Sequence, residues 1–141
     1  MLIEQHRRRF LGFAIASALF LVPSVGWSGS YLNRAALLLQ GANSDTASLS
    51  SRLNDIELAK VVHRMAESRV STASGMEIPK EVALAHPHLL LVLENFERAA
   101  QAAVDKDPKG FVAFYARARD EEVTFYGVLK QLGFTLPQVK R

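Results

Sequence analysis

The chain has 141 residues, 49% of them hydrophobic and none of them cysteine, which excludes disulfide staples, lipoprotein acylation, thiolate chemistry, iron–sulfur clusters and c-type haem attachment. The pI is near 9.4 but the net charge is only +3, and three arginines against one glutamate in the first nine residues supply two of it. The remaining bases are interspersed with acids, so a nucleic-acid partner is excluded.

Arg7-Arg8-Arg9 runs straight into thirteen apolar residues, Phe10 to Val22, which Pro23 interrupts. That length suits the core of a signal peptide. Carried through to Trp27 the stretch is eighteen residues, about 27 Å as a helix and enough to cross a bilayer. Small residues at Ser24-Val25-Gly26 or Gly26-Trp27-Ser28 offer cleavage sites. Without cleavage, residues 10–27 are a single-pass membrane anchor with Trp27 and Tyr31 at the far interface. In both cases the arginines stay in the cytoplasm and the C-terminal part is exported. The expected location is the cytoplasmic membrane with the domain in the periplasm or outside, or the periplasm itself after cleavage. Arg7-Arg8-Arg9-Phe10-Leu11 also resembles the R-R-x-F-L heart of a twin-arginine export signal, although His6 and Gly12 depart from its usual flanks. That resemblance implies export in the folded state, often with a cofactor or on a cofactor-bearing partner.

Ser28-Gly29-Ser30 reads as a flexible joint, which puts the signal or anchor segment at 1–30, a helical domain at 31–136 and a frayed tail at 137–141. Leu32, Ala35, Ala36, Leu38, Leu39 and Ala42 predict a first helix over Tyr31 to Ala42, ended by Gly41 and Asn43-Ser44-Asp45. A second helix is predicted from Thr46 to Ser74, stopped by Gly75. Its seam is Leu49, Leu53, Ile56, Ala59, His63, Ala66, Val70 and Ala73, widened by Leu58, Val62 and Met65. After a connector with a helical turn following Pro79, Pro87 opens a third helix that buries Leu89, Val92, Leu93, Phe96, Ala99, Ala100 and Ala103. Asp107-Pro108 then starts a fourth, whose seam of Phe111, Tyr115, Ala118, Glu122, Phe125, Leu129 and Leu132 ends at Gly133. The fold class is all-α: an N-terminal signal-peptide or signal-anchor helix followed by an antiparallel four-helix bundle.

Chemistry has few places to reside. No phosphate-cradling loop, nucleophile elbow, zincin helix or paired Glu-x-x-His motif occurs. Glu122 is the one charged residue on its seam and His63 the one strongly polar residue on its own. Mid-helix positions would place the two in one layer, as a structural pair or as ligands to a metal, a haem or a small molecule. His63 and Glu67 stand four apart but make only two ligands, and His86 and His88 read as exposed turn residues. Arg117 and Glu121 read as a surface i,i+4 pair. The aromatic group Phe111, Phe114, Tyr115, Phe125 and Tyr126 reads as core. The chain is therefore expected to be a non-catalytic accessory subunit, exported and membrane-tethered, without a resident cofactor, docking on a larger membrane or periplasmic complex. The alternative is an exported bundle holding a metal, haem or small ligand between His63 and Glu122.

Overall fold

The structure is a computed structural model that describes residues 25–139, with side chains from Ser28 onward. The expectations for Arg7, Arg8, Arg9, Phe10 and Leu11, for most of the 10–27 segment, and for the Trp27 side chain lie outside the described residues. Within them are four α-helices and no strand: α1 Val25–Ser50, α2 Ile56–Ser74, α3 His86–Val104 and α4 Pro108–Gln131, with a 3₁₀ turn at Lys80–Val82. No helix among the described residues is long and apolar enough to cross a membrane.

Local chemistry sets most of the boundaries. Asp55 caps α2 by accepting a hydrogen bond from the Leu58 N–H at 3.0 Å, and Asp107 caps α4 by accepting from the Gly110 N–H at 2.9 Å. Pro87 and Pro108 sit in the first turns of α3 and α4, where no backbone N–H is needed. Gly133 follows α4 with φ +89°, a left-handed conformation that costs a glycine nothing.

The first two helices differ from expectation. The Ser28-Gly29-Ser30 stretch is helical rather than a joint, and Ser28 is buried. α1 then continues through Gly41 and Asn43-Ser44-Asp45, and the break falls at residues 51–55 instead. The reason is tertiary. Asn43 bonds back to the Leu39 carbonyl at 2.9 Å and forward to α4, and Asp45 pairs with Arg69 of α2. Gly41 leaves room for that arginine: a Cβ there would lie 2.9 Å from its Nη2. Residues that favour turns in isolation are thus occupied by neighbouring helices. On α2 the buried line is Ala59, Val62, Ala66 and Ala73, so Met65, expected to widen the core face, is exposed.

Neighbouring helices run antiparallel. His63 of α2 meets Glu97 of α3, while His86 at the start of α3 reaches the Ala73 backbone near the end of α2. Phe96 of α3 meets the edge of Tyr115 of α4, and His88 faces Glu121. Two apolar clusters fill the interior. The larger joins Tyr31, Leu32, Ala35 and Leu39 of α1 to Leu89, Leu93 and Phe96 of α3 and to Phe125 and Leu129 of α4. The smaller gathers Leu49, Ala59, Val62, four alanines of α3 and Phe111. Its alanines let α2, α3 and α4 approach closely. Tyr115 packs against both clusters, so the two are continuous through one ring. Phe134 and Leu136 fold back onto the larger cluster beyond α4.

The boundary at Asp55 is directly testable. Replacing a capping carboxylate by alanine costs about 1 kcal/mol, whereas an exposed mid-helix serine tolerates alanine within about 0.5 kcal/mol. Asp55→Ala should therefore lower the urea midpoint clearly and Ser44→Ala should not. The opposite ranking would place the helix break at 43–45.

Candidate functional site

Besides the Asp45–Arg69 and His88–Glu121 pairs, polar side chains that bridge helices meet at three places. The first surrounds Glu122, which lies on the buried face of α4 with its side chain 9% exposed. The Asn43 amide donates to both carboxylate oxygens at 3.1 Å, and the Tyr126 hydroxyl donates to one of them at 2.8 Å. Arg119, one turn earlier, donates to the side-chain amide oxygen Oδ1 of Asn43 and lies 3.6 Å from the carboxylate. Burial raises the Tyr126 phenol above its usual range, and its hydrogen bond to Glu122 raises it further. It therefore serves as a donor throughout the neutral range. Leu136 to Val139 cover one side of this network as they fold back. Each carboxylate oxygen has at least one donor, and the network borders a cleft that these tail residues also line.

The second place joins α1 to the start of α3. Tyr31 is buried in the bundle and its hydroxyl lies 2.9 Å from Nδ1 of His86, itself only 4% exposed. The rings are tilted at 60° with centroids 5.6 Å apart. Burial lowers the His86 pKa, opposed by its bond to the Ala73 backbone, and raises the Tyr31 phenol. A protonated phenol thus donates to a neutral imidazole. Tyr31 is enclosed by protein, and one expectation changes: His86 is a core residue instead of an exposed turn residue. Only His88 keeps a half-exposed position, 3.4 Å from Glu121.

The third place lies between α2 and α3. His63 Nε2 is 2.7 Å from Oε1 of Glu97 and 3.7 Å from Oε1 of Glu67. One donor atom from each residue can be chosen so that all three lie within 4.8 Å of one another. His63 is mostly covered, Glu97 half-buried and Glu67 exposed. A pairing of His63 with Glu122 does not form, because each bonds to other residues: Glu97 for His63; Asn43 and Tyr126 for Glu122. The i,i+4 step from His63 to Glu67 was visible in the sequence. Glu97 was not, since nothing local marks which acid of α3 faces α2.

The surface reading of Arg117 changes too. Its guanidinium lies over the Phe114 ring at 5.3 Å, and Glu121 turns towards His88 rather than towards Arg117. The aromatic side chains divide as core and rim: Phe111 and Phe125 are buried, Phe114 and Tyr115 half-buried, and Tyr126 exposed apart from its hydroxyl bond. Comparison with protein-family models, curated proteins and solved structures gives no match to this chain.

Two outcomes follow from these networks. Asn43→Ala removes the amide that donates to both oxygens of the buried Glu122 carboxylate and leaves the Tyr126 hydroxyl as its one neutral donor, at a cost of about 1–3 kcal/mol in urea denaturation. For His86, the unfolded imidazole titrates near about 6.5 and the folded one lower. The unfolded chain therefore binds more protons as the pH falls through that window, and stability is lost on the acid side. Between about pH 7.5 and about pH 5 the urea midpoint should fall less in His86→Gln than in the wild type. Equal falls would mean that His86 carries none of the dependence.

Proposed function

We propose that the chain is a non-catalytic accessory subunit, an exported helical bundle held at the cytoplasmic membrane by its uncleaved leader. The observation that carries this reading is the start of α1. The chain is helical from Val25, the first described residue, and by Ser28 it is already buried in the bundle. The candidate cleavage triplet at 26–28 falls within helical backbone. Proteolytic nicking favours exposed, poorly ordered segments, so helical backbone at that point supports retention. A leader retained in the bilayer then has no slack. An anchor over residues 10–27 would end directly before buried Ser28, which would hold the bundle against the membrane surface.

The accessory role rests on what the side chains offer. The buried acid Glu122 is hydrogen-bonded by Asn43 and Tyr126, and the buried His86 by Tyr31 and the Ala73 backbone. Neither is set beside a nucleophile. Leu37, Leu84, Val112 and Val123 are each more than half exposed, apolar surface that a larger partner would cover. A ligand held jointly by His63 and Glu122 has no geometric support, since the two are in different networks.

Intact mass after fractionation tests the tether. The expected species is the full-length 15.6 kDa chain in membranes, migrating in mild detergent as a particle larger than the monomer. A soluble species shortened by about 26 to 28 residues, or a full-length monomer in detergent, would remove the anchor or the partner respectively.

A further inference from the structure

We propose that His63, Glu67 and Glu97 form a binding site for a divalent transition-metal ion of the zinc class, bridging α2 and α3. The argument starts from a mismatch in hydrogen bonding. Two carboxylates approach one imidazole nitrogen, at 2.7 Å and 3.7 Å. A single N–H can serve one of them, and bringing the second acid to the same point adds like-charge repulsion. Among the described residues neither Glu67 nor Glu97 makes an ion pair with lysine or arginine, whereas Asp45, Glu57 and Glu122 each have one. A cation at the position now taken by the shared proton would engage all three side chains at once and neutralise the surplus charge.

The spacing suits such an ion. Zinc binds imidazole nitrogen and carboxylate oxygen at about 2.0–2.2 Å, so neighbouring ligands of a tetrahedral site stand about 3.3–3.5 Å apart. The two observed separations bracket that value. Loading the site requires Glu97 to withdraw from the imidazole by about 0.7 Å, Glu67 to advance by a few tenths of an ångström, and the two carboxylates, now within 4.8 Å of each other, to take up tetrahedral spacing, movements within the torsional freedom of glutamate. Glu67 is 58% exposed and can swing without disturbing the core. The backbone is already arranged: His63 and Glu67 share a face of α2 at i,i+4, and the α2–α3 packing supplies Glu97. One imidazole with two carboxylates favours zinc and its first-row neighbours over magnesium or calcium, which prefer all-oxygen shells. Three protein ligands leave a fourth position for water or for a partner's side chain. The site requires nothing of the leader, so it stands or falls independently of the tether.

Calorimetric titration of the metal-stripped full-length protein with Zn²⁺ tests the proposal. The expected result is one ion per chain. His63→Ala and Glu97→Gln should each weaken binding at least about tenfold, by analogy with the loss seen when even the supports of metal ligands are removed. Glu67→Gln, at an exposed position that folding does not depend on, should weaken it by a smaller factor. It keeps the test decisive if His63→Ala fails to fold. His88→Ala should bind as the wild type does, because His88 faces a single carboxylate. With zinc at about a hundred times its dissociation constant, the melting temperature should rise by about 10 °C. Absence of stoichiometric binding, equal affinity across the variants, or loss of binding in His88→Ala would each overturn the site.

Discussion

The arrangement of this bundle depends on a carboxylate buried in its interior. An unpaired charge at the Glu122 position would cost several kcal/mol, so the surrounding helices must deliver donors to it. Tyr126 comes from the same helix one turn on, but Asn43 comes from α1, and it reaches both oxygens at once. That contact selects one register of α1 against α4: sliding α1 by a turn would withdraw the amide and strand the acid. The apolar face of α1 alone would select less sharply, because the alanines at 35, 36 and 42 leave small contacts that a neighbouring helix could find in several registers.

Two further contacts act in the same sense at other points on α1. Tyr31 fixes its early turns to His86, and Asp45 fixes its later ones to Arg69, whose guanidinium lies in the space that Gly41 leaves open. α1 is thus fastened to all three other helices through polar pairs, while α2, α3 and α4 hold one another mainly through Phe96, Phe111, Tyr115, Phe125 and the close alanine faces. This division bears on the proposed tether. A helix that continues from a membrane leader must not slip when the leader is pulled, and hydrogen bonds between specific partners resist sliding better than an alanine stripe does.

Three of the four histidines lie among the described residues, and each sits at a helix–helix junction with a different partner. His86 is enclosed and neutral against a phenol, His88 stands half-exposed beside one carboxylate, and His63 stands between two. The same side chain therefore serves as a packing element, a surface contact and a candidate metal ligand according to what faces it. Residue type cannot distinguish these roles.

Periodicity and cap chemistry read along the sequence were enough to determine an all-helical chain, the starts of α3 and α4 at Pro87 and Asp107-Pro108, their buried faces, and the stops at Gly75 and Gly133, because these are local properties of the backbone. The expectation of a leader rests on composition and length alone, and residues 1–24 lie outside the described residues. Tertiary structure decided the rest. Gly41 and Asn43-Ser44-Asp45 carry every local mark of a turn, yet they stay helical because Arg69, Arg119 and Glu122 occupy their polar atoms from other helices. For the same reason His63 faces Glu97 rather than Glu122, and His86 is buried rather than exposed. Which partner meets a polar side chain depends on the rotation and offset of whole helices about one another, and those are set by the packed core as a unit and written in no single segment.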